Sequence, residues 1–359
     1  MFRRRLPVSR LASTTAAAGL IGAALVFGPG LQQRVAPDPA AVMASLAPPL
    51  LEPGSVFTEF GPVPALPEQP RALRALGERL FEDPRLSGSG QIACASCHNR
   101  ELAFADGLSR SFGHDRTPHT RNSPSLLTAG WMETLFWDGR ADSLEAQAPM
   151  PIIHPEEMHA DMAEVRRRLA ADPAYVEAFA AAFGDGAVTG ERIAGALASF
   201  QRSLSPRRSR YSRFIAGDIN ALDEQQRRGL DLFRGKAGCA SCHNGPLLTD
   251  QRFHNLGLGF YGRPREDRGR YVVTGKPEDM TAFRTPSLLG VSRTAPYMHN
   301  GGLPTLAGVV AFYNAGGARP RPRDEQIGDP LFPKTSDMLR PRNLTREEQA
   351  DLVAFLEAL

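Results

Sequence analysis

Apolar residues recur at helical spacing in four stretches of the chain, and the four fall into two pairs. ALGERLFEDPRLSG (75–88) carries Leu76, Leu80 and Phe81; EQQRRGLDLFRGKAG (224–238) carries Leu230, Leu232 and Phe233. Amphipathic patterns follow in ERIAGALASFQRSL (191–204) and REEQADLVAFLEAL (346–359). Thr345 precedes the last of these with Glu348 three residues on, an arrangement in which each side chain satisfies the other residue's backbone N–H at a helix start. The pattern predicts a mainly α fold of two units, each opened by one helix and closed by another, with the boundary near Gly217. Gly and Pro supply 64 of 359 residues, so long loops are expected between rather few helices.

Each leading stretch runs into the same six letters, CASCHN, at 94–99 and again at 239–244, and these two copies use all four cysteines. Cys-x-x-Cys-His is the attachment signature of a c-type haem. Cys94 and Cys97, and likewise Cys239 and Cys242, would add their thiols across the two vinyl groups of a porphyrin. His98 and His243 would supply the proximal nitrogen to iron. A four-thiolate zinc site built from both pairs is the competing reading, but zinc has no need of a histidine directly after each pair. The doubled motif points to two covalently bound haem c groups in two cytochrome c-like domains related by duplication.

The N-terminus changes the picture of where this happens. MFRRRLPVSR is followed by the small and apolar LASTTAAAGLIGAALVF, a charged region and then an apolar one, as in a secretory signal. The apolar run is short of the ~20 residues of a membrane span and is diluted by Ser, Thr and Gly; a retained anchor is the alternative. The expected organisation is a signal peptide over 1–44, a Pro-rich linker over 45–70, an N-terminal haem domain over 71–216 and a C-terminal one over 217–359, with the protein in the periplasm. The chain carries +3 overall, and residues 1–44 contribute +4 of it, leaving the remainder near −1. A general nucleic-acid binder is thereby excluded.

Four stretches, LFEDPRLSGSGQIACASCHNRELAFADG (80–107), RNSPSLL (121–127), FWDGRADSLEAQAPMPIIHPEEM (136–158) and FRTPSLLGVSRTAPYMHNGGLPTL (283–306), resemble the bacterial dihaem cytochrome c peroxidase family, which includes the MauG-type enzymes that oxidise a partner protein. The resemblance runs from about Leu73 to the C-terminus. It implies reaction with hydrogen peroxide at the N-terminal haem and electron relay through the C-terminal one.

The resemblance also implies roles for single residues. Glu157 matches the catalytic glutamate, with Glu156 one residue out of register; a carboxylate held in a pocket suits the transfer of a proton between the peroxide oxygens. Gln147 matches a pocket glutamine able to hydrogen-bond bound oxygen or water. Trp137 matches the tryptophan between the haems, whereas Trp131 suits packing. His114, sixteen residues after His98, falls where some members have a histidine capping the peroxidatic iron at rest, and His119 is close enough to be confused with it. Fourteen residues after His299, where ordinary peroxidases have a methionine ligand, this chain has Tyr313, as the MauG-type branch does; Met298 and Met280 are the alternative ligands. A phenolate favours ferric and higher states, a thioether ferrous iron. A calcium ion between the domains is implied, with ligands at Asn122, Thr294 and Pro296. One departure stands out: the methylamine-dehydrogenase maturase has a tryptophan two residues before its second haem motif, and here that position is Ala237. The tyrosine-ligand chemistry is thus expected without that particular protein substrate.

The expected function is an exported, MauG-like dihaem peroxidase. Its electrons come from a small protein such as a cytochrome c or cupredoxin, or from side chains of a protein substrate; a homodimer stays open. The rivals are an ordinary cytochrome c peroxidase that detoxifies peroxide, and a dihaem electron carrier with no chemistry of its own. Glu157 weighs against the carrier, which has no use for a placed acid–base group.

Overall fold

The computed structural model describes residues 60–359, which belong to one compact unit. The signal segment expected over 1–44 and residues 45–59 of the Pro-rich tract lie outside the described residues. The described chain is mainly helical. Its one sheet pairs Phe253–His254 antiparallel with Phe283–Arg284, two residues to a strand. No helix among the described residues is long and apolar enough to cross a membrane.

All four expected helices form, with local reasons for their ends. The first spans Arg71–Glu82. It starts four residues before the apolar pattern and stops at Asp83, because a residue that precedes proline is disfavoured in helical conformation. The helix Gly190–Ser203 is capped by Thr189, whose hydroxyl accepts the Arg192 N–H. Asp223 and Gln226 cap Glu224–Arg234 reciprocally. Thr345 and Glu348 do the same for Arg346–Glu357, as their spacing predicts. Two further helices, Met162–Ala170 and Pro173–Phe183, fill out the N-terminal half.

Each half repeats one packing unit. The leading helix Arg71–Glu82 crosses the closing helix Gly190–Ser203, and Glu224–Arg234 crosses Arg346–Glu357. At each crossing the leading helix presents a glycine and, four residues on, a phenylalanine. Phe81 packs against Phe200 at 5.0 Å between ring centroids, and Phe233 against Phe355 at 5.2 Å. A Cβ on Gly77 would lie 1.9 Å from the Ala196 carbonyl oxygen; one on Gly229 would lie 2.1 Å from that of Asp351. Backbone therefore meets backbone at both crossings, which only glycine permits. Gly229→Ala is accordingly expected to destabilise the haem-loaded protein by about 1–3 kcal/mol through overpacking. Denaturant unfolding checks this, and an unchanged midpoint would show that the helices part at no cost.

Residues 60–64, within the tract expected as a linker, are packed rather than free. Phe60 is buried in the C-terminal core with its ring 6.2 Å from Phe233, and the Trp131 indole N–H donates to the Pro64 carbonyl at 2.8 Å. The chain thus touches the C-terminal core before it enters the first helix. Trp131 takes the packing role expected of it.

Candidate active site

The two CASCHN segments fold alike. Cys94–Cys97 is one helical turn and Cys239–Ser241 a tighter one. A turn of this kind puts residues three apart on one face, so each cysteine pair can reach one planar group. After each turn the chain comes back to its histidine. His98 Nδ1 lies 2.9 Å from the Phe104 carbonyl oxygen, and His243 Nδ1 lies 3.1 Å from that of Leu248. A carbonyl only accepts, so Nδ1 carries the proton in both rings and Nε2 keeps a lone pair, the state of a metal-ligating imidazole held by an outer partner. Burial pushes both histidines below their ordinary pKa, keeping them neutral. The residues present therefore fit haem attachment at both places.

They do not fit a shared zinc. Among the described residues the two cysteine pairs do not come together, and the one cluster of potential ligands is Cys242, Asp250 and His254. Within it His254 Nε2 already sits 2.8 Å from an Asp250 oxygen, a hydrogen bond that leaves no space for an ion between them.

A cavity of about 830 Å3 is lined by residues of both CASCHN segments and by nearly every side chain singled out in the sequence. Next to the first segment it holds Glu157 and Gln147. The Glu157 side chain is 23 % exposed, and its charge acts on Cys94, Cys97 and His98. Glu156 lines the cavity too, but acts on none of the three and is more exposed. Gln147 ends the short helix Leu144–Gln147, capped by Ser143, and its amide makes no hydrogen bond to the described residues.

His114 does not line this cavity. Residues 111–119 form a tight hairpin, with Phe112 bridged to Pro118 and the Gly113 N–H donating to Thr117. His114 thereby sits near its tip, stacked on His159 at 4.3 Å, and His119 at its base. It is His119 that faces the cavity, with Nε2 buried and unpartnered among the described residues.

Tyr313, on the helix Leu306–Asn314, lines the cavity beside the second segment, and Met298 lines the same cavity. The Tyr313 hydroxyl makes no hydrogen bond to the described residues. Burial, with Cys242 and Cys239 close by, pushes its pKa above the ordinary phenol value. Met280 is buried away from the cavity, so of the two methionine alternatives only Met298 is in place.

Trp137 stands where the two halves meet. Its indole N–H donates to the Asn122 carbonyl at 2.8 Å, and its own carbonyl accepts the Arg284 N–H at 2.8 Å. Its ring lies edge-on to His299 at 6.4 Å, and His299 is stacked on Phe283 at 3.5 Å. Asn122, Thr294 and Pro296 also line the cavity. The Asn122 amide nitrogen donates to the Leu108 carbonyl at 2.8 Å, which turns Oδ1 the other way, and the Thr294 and Pro296 carbonyls accept no hydrogen bond from the described residues. Three uncommitted oxygens suit a hard cation.

Periodicity gave no sign of the ionic seam between the halves. Arg121 makes a two-pronged contact with Asp267, at 2.7 and 2.8 Å, and a third with Asp138 at 2.6 Å. Only its place in RNSP, next to Asn122, pointed to it.

Comparisons with known proteins agree with this geometry. The family described as di-haem cytochrome c peroxidase matches residues 71–220, and a RoxA-like, cytochrome c-like family matches residues 282–314. Cytochrome-c peroxidase IdrP1 of Denitromonas iodatirespirans is 40% identical over 337 residues, covering 84% of this chain and 86% of that protein. Methylamine utilization protein MauG of Methylorubrum extorquens is 42% identical over 288 residues, covering 79% and 77%. A solved MauG-like protein associated with microbial copper homeostasis superposes with a TM-score of 0.74 at 36% identity, over 85% of this chain and 94% of that one. These likenesses run across both CASCHN segments and the cavity they share, and they make the chain a member of the di-haem cytochrome c peroxidase (MauG) family, a peroxidase with two haem c groups.

Proposed function

We propose that the chain is an exported peroxidase of the MauG-like branch, with haem domains over 71–216 and 217–359. When bound, the haems supply the redox chemistry with hydrogen peroxide. Cys94, Cys97 and His98 hold the first, and Cys239, Cys242 and His243 the second, with Tyr313 as its further ligand. Glu157 would move a proton between the peroxide oxygens, and the Gln147 amide would offer a hydrogen bond there. Trp137, fixed from both halves, carries charge between the two centres. Asn122, Thr294 and Pro296 hold a calcium ion that ties the halves together. Export to the periplasm rests on the basic-then-apolar pattern of residues 1–27. The electrons come from a small donor protein or from a protein substrate; Ala237 speaks against methylamine dehydrogenase as that substrate.

The observation that carries this reading is one cavity with the Glu157 carboxylate beside one motif and an uncommitted phenol beside the other. A plain electron carrier needs neither. Stopped-flow absorption of the all-ferric protein with one equivalent of peroxide tests it. A rapid change at both haems is expected. No reaction until one haem is reduced would instead identify a reductively activated peroxidase, and no reaction in either state would identify a carrier.

A further inference from the structure

The surroundings of the two proximal histidines match in backbone and differ in charge. Beyond each CASCHN the chain returns a carbonyl to the histidine and places an aspartate two residues later: Phe104 then Asp106, and Leu248 then Asp250. Asp106 accepts only from neutral groups, the Ser111 hydroxyl at 2.5 Å and the Leu108 N–H at 3.0 Å. No Lys, Arg or His among the described residues is within ion-pair distance of it. Asp250 accepts from the Arg252 N–H at 2.9 Å and from His254 Nε2 at 2.8 Å, in a pair whose side chains are 10% and 18% exposed. The short sheet fixes His254, since the strand that carries it pairs with Phe283–Arg284.

We propose that Asp250 and His254 form a fixed ion pair that sets the reduction potential of the second haem, its imidazolium cancelling a carboxylate that at the first haem is left uncompensated. The proposal rests on haem attachment at Cys239, Cys242 and His243 and is independent of the roles of Glu157 and Tyr313. In a partly buried site a charge beside the haem-attachment turn is poorly screened. A lone anion favours the oxidised state, which carries one more positive charge, and a neutralised pair does not. Although burial works against it, the hydrogen bond that His254 donates to Asp250 raises its pKa above the ordinary imidazole value.

Spectroelectrochemical titration of the purified dihaem protein, resolving the two haems by their spectra, tests the pair. His254→Gln keeps a hydrogen-bond donor and removes the charge. At a fixed ambient potential it should lower the ferrous-to-ferric ratio of the second haem about tenfold, equivalent to about 59 mV for one electron, and leave the first haem unchanged. Adding Asp250→Asn removes the exposed anion and should restore the ratio. An unchanged or raised ratio in the single variant, equal shifts at both haems, or a double variant that stays low would each overturn the proposal. Should His254→Gln fail to retain haem, Asp106→Asn decides instead: it should raise the ratio at the first haem about tenfold, and no change there would overturn the charge argument.

Discussion

Glu157→Gln is expected to slow the reaction of the all-ferric protein with peroxide by roughly 10²–10⁴-fold, the range that a positioned acid–base group supplies, while both haems stay attached. Glutamine has nearly the shape of glutamate and keeps the cavity filled. It cannot take a proton from one peroxide oxygen and return it to the other. Glu157 is not among the residues of the haem attachment turn, and among the described residues its side chain makes no hydrogen bond, only a loose contact with His154 at 3.9 Å. The substitution therefore breaks no structural contact that could be confused with the chemical loss. Glu156→Gln is the internal control, because that carboxylate is more exposed and exerts no charge on Cys94, Cys97 or His98. A fast peroxide reaction in Glu157→Gln with a slow one in Glu156→Gln would move the role by one residue. Equal rates in both variants and the parent would remove acid–base catalysis by either.

How far the sequence carried the reading depended on the range of the interaction. The haem turns were legible because both thiols and the imidazole lie within five residues, so spacing alone states the geometry. The helix pairs were legible from apolar period, and the start of the last from Thr345 and Glu348, again a contact across three residues. What escaped was decided by partners far along the chain. Gly77 and Gly229 carry no signal in the helical patterns, because what demands glycine there is the opposing carbonyls of Ala196 and Asp351. Residues 60–64 read as linker because their partner, Phe233, is about half the chain away. The resemblance pointed to His114 rather than His119, but a hairpin decides which of them faces inward, and no letter in GHDRTPHT states where that hairpin turns. The resemblance to a family bridged part of this gap: Asn122, Thr294 and Pro296, separated by more than 170 positions, do line one cavity.

Tyr313→Phe is expected to change the absorption spectrum of the second haem alone and to raise its reduction potential, on the order of 0.1 V or more against the ~0.8 V that axial ligation spans. The Tyr313 hydroxyl faces the cavity without a hydrogen-bond partner among the described residues, and burial disfavours its ionised form. A phenolate withdrawn from water is costly, and ferric iron would offset that cost by binding the oxygen and compensating its charge. Phenylalanine preserves the ring, and with it the packing against Phe312 at 5.4 Å, so the helix has no reason to shift. Loss of the anionic donor then weakens the preference for ferric iron, which is the rise in potential. Met298 supplies the decisive comparison, because it is the methionine alternative that lines the same cavity. If Tyr313→Phe leaves the second haem unchanged and Met298→Leu alters it, the ligand is a thioether. The second haem would then be poised for electron uptake rather than for storing an oxidising equivalent, and the enzyme would belong with the ordinary peroxidases of its family.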